Sequence, residues 1–202
     1  FDLESGAIEK FIVTGYGAEG VLISGNKLFV SNNFSTTVSI IDVDSEELIK
    51  TIEVGNAPAL MIADAEGHLW VACAGGYDAN YNPANDGKLV EFNSDGQILN
   101  TVELETNFNG KISSNASGST LYYSKGTSVY TVATTGADQP ELLLELADAT
   151  AIYGLGVDSE DNVYMADAVG FAENGHVYKY STDTELITRY SVGRGPNGFA
   201  FN

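Results

Sequence analysis

The chain has 202 residues, 44% of them hydrophobic and 18% charged, with 22 glycines, a globular make-up that excludes a disordered or collagen-like chain. Acidic residues outnumber basic ones 28 to 9, for a formal charge of −19, so nucleic acid and anionic membrane surfaces are poor partners. No apolar run reaches the roughly 18 residues of a membrane span, and one cysteine, Cys73, allows neither an internal disulfide nor a Cys/His zinc cluster.

Taken in chain order, the elements repeat. Residues 2–6 resemble a turn between the last two strands of a sheet unit and lead into a strand ending near Thr14. Four units follow, each of four short strands lettered A to D. The first is expected over 20–24, 27–32, 37–43 and 47–54, and the second over 59–64, 68–75, 88–93 and 97–104. The third covers 110–115, 120–125, 128–134 and 141–146, and the fourth 154–158, 162–168, 176–181 and 185–192. Residues 197–202 read as one more A strand. The second strands carry matching pairs: Leu28-Phe29, Leu69-Trp70, Leu121-Tyr122 and Val163-Tyr164. Small residues open the units at Gly20, Ala59, Gly110, Gly154 and Gly198, spaced 39, 51, 44 and 44. A period of about 40–45 with four strands per unit is that of a β-propeller blade. The fold class is therefore all-β, a propeller of four-stranded blades in one domain over 1–202. Four complete blades with partial first and last ones suit the C-terminal part of a seven-bladed propeller; a compact five-bladed ring is the alternative. The chain opens abruptly at Phe1 with no signal peptide, and a leader removed from the front is expected.

Propeller geometry assigns every turn to a face. The A–B and C–D turns are short, polar and free of aromatics, as in Ala65-Glu66-Gly67 or Ser94-Asp95-Gly96. The D–A and B–C loops hold Tyr16, Phe34, Tyr77, Tyr81, Phe108, Tyr153 and Phe171. A loop aromatic either tucks back onto the core or meets a ligand. Both long insertions, 75–87 and 169–175, fall on this second face, and tyrosine beside asparagine and glycine suits flat ligands with polar rims. Asn109 and Asn197 just before the small residues would hydrogen-bond such a ligand. Arg194 is the lone basic residue on the D–A turns, placed either for an anionic group or for a neighbouring acid.

Asp78, Asn80 and Asn82 have the first oxygen spacings of a calcium loop. Leu89 stands where the bidentate acid would be, so a hydrogen-bonded Asx turn is expected there, with loosely held calcium as the other reading. The two histidines, His68 and His176, fall on different blades and cannot share a metal or a triad. Cys73 lies within an apolar strand as an inert thiol. No metal, cofactor or catalytic residue is assigned.

Leu28-Phe29-Val30-Ser31-Asn32, then Thr37-Val38-Ser39-Ile40-Ile41-Asp42 and Ile49-Lys50-Thr51-Ile52-Glu53-Val54-Gly55, resemble the YVTN, or YncE-like, propeller repeat. Leu69 to Asp78, Tyr153 to Asp158, Val163 to Ala168 and Gly195 to Phe201 look like propeller lipoproteins from Bacteroidota surfaces. The best-understood members of that branch, the BtuG type, capture cobalamin and pass it to a TonB-dependent outer-membrane transporter. The resemblance thus implies a non-catalytic, surface-anchored binding propeller. Its ligand-binding residues would be Tyr16, Phe34, Tyr77, Asp78, Tyr81, Asn82, Asn109, Tyr153, Phe171, Arg194 and Asn197. A protein-interaction or adhesion propeller is the second expectation, and a propeller-type lactonase or lyase the third.

Overall fold

A computed structural model describes residues 2–80, 82–136 and 139–201. Its strands run β1 (Ala18–Ser24), β2 (Lys27–Asn32), β3 (Thr37–Asp42), β4 (Glu47–Glu53), β5 (Pro58–Ala63), β6 (Leu69–Cys73), β7 (Gly76–Tyr77), β8 (Pro83–Asn85) and β9 (Lys88–Phe92). They continue as β10 (Ile98–Glu103), β11 (Ile112–Ser114), β12 (Thr120–Lys125), β13 (Ser128–Ala133), β14 (Glu141–Glu145), β15 (Ile152–Val157), β16 (Val163–Asp167), β17 (His176–Tyr180) and β18 (Leu186–Ser191). Four antiparallel four-stranded sheets result, β1 to β4, β5-β6-β9-β10, β11 to β14 and β15 to β18, so the fold is a propeller of four-stranded blades. The 75–87 insertion adds a small ribbon, β7 with β8, and the 169–175 insertion a single tight turn over Val169–Phe171.

Blades stack face to face, so an inner strand is covered on both sides and alternation sorts its side chains between two neighbours. On β6, Leu69, Val71 and Cys73 join Phe29, Val38 and Ile40 of the first blade. Trp70 and Ala72 point the other way, into a cluster with Leu121 and Tyr123 of the third. A third cluster joins Val129 and Leu146 to Leu155, Met165 and Tyr178 of the fourth. Among the described residues no such cluster joins the fourth blade to the first.

The recurrent small residues answer to the convergence of the A strands. A Cβ on Gly20 would strike the Ala59 carbonyl, one on Gly110 would lie 2.6 Å from the Ala59 Cβ, and one on Gly154 would lie 2.6 Å from the Asn197 carbonyl oxygen. Residues 197–201 therefore occupy the next inner position, with Phe199 and Phe201 over Gly156 and beside the Tyr164 ring at 5.7 and 5.0 Å. The strands expected at the two ends do not form: residues 7–14 and 197–201 take part in no sheet. An extended segment without a ladder partner is no strand.

Candidate functional site

Hydrogen bonds between turns establish the two faces. On one, the Ala65 N–H donates to the Gly118 carbonyl and the Ala116 N–H to Asp161 Oδ1, tying successive A–B turns together. On the other, B–C and D–A loops bond to each other: Phe34 N to Tyr16 O, Ala74 N to Ala57 O, Phe108 N to Ala74 O and Ile152 N to Gly126 O.

The aromatic loops lie on that second face, and four of their rings form two pairs. Tyr16 and Phe34, 75% and 73% exposed, have centroids 5.6 Å apart in a tilted pair. Tyr153 and Phe171, also exposed, meet edge to face at 4.8 Å. Each pair joins a residue entering the A strand to one from the B–C loop of the same blade. Phe108 differs: it is buried between the second and third blades, edge to face with Tyr123 at 5.6 Å. Tyr77 is exposed on β7, whereas Tyr81 lies outside the described residues. Asp78 accepts the Asn80 and Asn82 amides at 2.8 and 2.9 Å and the Asn82 side-chain amide at 3.2 Å, so this stretch folds as an Asx turn. Those hydrogen bonds hold Asp78 below the usual carboxylate range, the Asn82 backbone N–H first among them.

Phe171 is held in place at a cost. Val169, Gly170 and Phe171 all have left-handed backbones, with φ of 47, 62 and 63°, which costs a non-glycine residue roughly 1–2 kcal/mol. The buried carboxylate of Asp167 fixes the turn by accepting the Val169 N–H at 3.0 Å and the Thr150 and Ala151 N–H groups at 3.3 Å. Its signal in the sequence is the acid that ends the apolar strand Val163-Tyr164-Met165-Ala166-Asp167.

The amides behave unequally. Asn109 is spent inside the fold: its Nδ2 donates to Ile152 O at 2.8 Å and Ser124 Oγ at 3.0 Å, and its Oδ1 accepts the Lys111 N–H at 3.0 Å. It clasps the third blade to the fourth, so its assignment as a ligand contact is corrected to a structural one. Asn197 is exposed and lines a cleft of about 430 Å³ beside the inner strands, with Lys111, Ser113, Gly156 and Phe199. Lys111, which the sequence did not single out, sets its Nζ 5.7 Å from the Tyr153 ring centroid. Burial lowers its ammonium pKa, opposed by the charge of Glu19. Arg194 is exposed and makes no hydrogen bond or ion pair among the described residues. A second cleft of about 320 Å³ opens between the second and third blades along Phe108, Tyr123, Tyr130 and Lys125. Burial, reinforced by neighbouring Tyr130, pushes the Tyr123 hydroxyl up to about 12.

The family model described as "Domain of unknown function (DUF5074)" matches residues 1–198. No curated protein sequence matches the chain. Among solved structures the chain is similar to hydrazine synthase from Kuenenia stuttgartiensis, at 14% identity and a TM-score of 0.72 over 93% of this chain and 53% of that one. It is similar to virginiamycin B lyase from Staphylococcus aureus, at 14% identity and 0.69 over 94% and 61%. It is likewise similar to a gluconolactonase from Xanthomonas campestris, at 14% and 0.65 over 91% and 65%. The chain thus spans about half to two thirds of the length of these proteins, and identity this low carries the fold alone.

Proposed function

The chain belongs to the DUF5074 family, and from that premise we propose that this member is a binding propeller that performs no catalysis and holds a large planar, polar small molecule on its D–A and B–C face. One observation carries the reading. The first and fourth blades each present an exposed ring pair of the same build, Tyr16 with Phe34 and Tyr153 with Phe171. Exposed rings, of which Phe171 is held by a strained turn, favour stacking on a flat ligand. Arg194 and Lys111 would take an anionic group on its rim, and Asn197 a neutral one.

By the resemblance to YVTN-type surface propellers, the ligand class is corrinoid, cobalamin first. The protein would stand on the outer surface of a bacterial cell, within a larger propeller, and pass its ligand to a TonB-dependent transporter. Exposed Val21 and Ile23 on β1 favour a neighbouring blade there.

Calorimetric titration with cyanocobalamin tests the reading. One-to-one binding is expected, weakened about tenfold or more by Tyr153→Ala with Phe171→Ala, since a stacked base loses roughly 1–3 kcal/mol on removal of its aromatic partner. Absence of heat would remove the corrinoid. Binding untouched by the double change, in a protein with an unaltered unfolding midpoint, would move the site off this face.

A further inference from the structure

On the opposite face, the β5–β6 turn of the second blade and the facing strand β9 gather three carboxylates around one ring nitrogen. His68 Nδ1 lies 2.7 Å from Glu91 Oε1, 3.8 Å from Glu66 Oε2 and 3.9 Å from Asp64 Oδ2. The Asp64 and Glu91 side chains are only 2% and 10% exposed, while His68 at 31% and Glu66 at 63% open the group to solvent. Asp64 is fixed: Oδ1 accepts the Glu66 and His68 N–H groups at 2.9 Å, and Oδ2 accepts Trp70 Nε1–H at 2.9 Å. Among the described residues no lysine or arginine pairs with Asp64, Glu66 or Glu91, so His68 is the only basic group facing them.

The fourth blade supplies an independent observation. Asp158, Glu160, Asn162 and Tyr164 follow one another at the same intervals as Asp64, Glu66, His68 and Trp70, in a turn of the same build. Asp158 Oδ1 accepts the Glu160 and Asn162 N–H groups, both at 2.9 Å, and Oδ2 accepts the Tyr164 hydroxyl at 3.0 Å. Across the sheet Tyr164 pairs with Lys179, as Trp70 pairs with Glu91. The Lys179 ammonium sits 3.4 Å from Asp158 Oδ2 and 5.1 Å from the Tyr164 ring centroid. One blade therefore fills this position with a cation, and the other puts a second, nearly buried carboxylate there. Carboxylates removed from water need a balancing positive charge.

We propose that the second blade binds a divalent cation of the zinc type through His68 Nδ1, Glu91 Oε1 and Asp64 Oδ2, with Glu66 closing the coordination from the rim. An imidazole nitrogen with carboxylate oxygens suits such a cation over magnesium or calcium. Metal–ligand bonds of about 2.0–2.1 Å in a tetrahedral shell separate ligand atoms by about 3.3 Å. The observed separations from His68 Nδ1 of 2.7, 3.8 and 3.9 Å lie on either side of that value, within reach of small side-chain rotations. Trp70 Nε1–H orients Asp64 as an outer-shell donor does. The cation pins the A–B turn to β9, as Lys179 pins its counterpart, and takes no part in ligand capture on the far face.

Trp70 is the sole tryptophan, so its fluorescence reports on the site directly. Protein stripped with chelator is titrated with Co²⁺ as a quencher and with Zn²⁺ by calorimetry. Saturable one-to-one binding is expected, with Mg²⁺ in large excess failing to compete. His68→Asn and Glu91→Gln should each weaken it about tenfold or more, and His68→Asn with Glu91→Lys, which copies the fourth blade, should abolish it while far-UV circular dichroism is unchanged. His176→Asn should bind like the parent. Lack of saturable binding, equal competition by Mg²⁺, or retained affinity in both single variants would overturn the proposal. Should one single variant fail to fold, the other decides.

Discussion

The second and fourth blades build the same turn and balance it oppositely. Asp64 and Asp158 hold the turn through the same two backbone amides and one ring donor. Beyond that, Lys179 meets Asp158 in one blade, and Glu91 with His68 meets Asp64 in the other. The carboxylates respond in opposite directions. Burial raises the Glu91 carboxyl, only partly offset by the hydrogen bond from His68. Burial also acts to raise Asp158, but the Asn162 side-chain and backbone N–H bonds and the Tyr164 hydroxyl outweigh it and hold that carboxyl at about 2. The backbone of the turn is thus indifferent to the charge it carries. Its electrostatics depend on two further positions: Glu91 or Lys179 on the C strand, and His68 or Asn162 in the turn itself.

The largest expected effect separates the two rings. Trp70 is fully buried between the second and third blades, so Trp70→Ala should cost about 3–5 kcal/mol in urea unfolding. Tyr164 is half-buried, beside the C-terminal Phe199 and Phe201 and the Lys179 ammonium, and Tyr164→Ala should cost about 1–2 kcal/mol. Equal losses would mean that the fourth blade is as tightly covered as the second.

Exchange of charge comes next. In metal-free buffer Glu91→Lys should leave stability within about 1 kcal/mol or raise it, because the new ammonium meets Asp64. Lys179→Glu should lower the unfolding midpoint, because it strands a second acid beside Asp158. The same sign for both substitutions would break the equivalence of the two turns.

The smallest effect is in acid. Asp158 ionises more readily folded than unfolded, so its contribution is fully present above its ordinary value of 3.8 and is lost as pH falls through about 2. The stability gap between parent and Asp158→Asn should therefore hold from pH 7 to about 4 and close toward pH 2. A gap that is constant over that range would show that Asp158 is not held low.

Much of this architecture was legible in the residues. The strand pairs, the turn chemistry and the 39 to 51-residue spacing of small residues located all sixteen blade strands within two residues of their ends. The small residues had to recur because inner strands approach too closely for larger ones, as the Ala59 carbonyl against Gly20 illustrates. The division of loops into an aromatic and a polar face was equally readable, since it follows from blade topology and turn composition.

Other features depend on contacts between segments far apart in the chain, on which local pattern has no purchase. Phe108 and Tyr16 look alike as loop aromatics, yet one fills the space between blades and the other stays in solvent. Asn109 reads as a free amide and becomes a clasp only because Ile152, 43 residues on, offers its carbonyl. Lys111 gains meaning from the Tyr153 ring beside it. His68 and Glu91 are separated by the whole 75–87 insertion and meet because β6 and β9 pair across it. Sequence alone determined the repeating blade, since hydrophobic alternation and turn residues act over a few neighbours. The tertiary structure decided which polar and aromatic groups are spent on holding blades together and which stand ready for a ligand, because that depends on what the next blade presents to them.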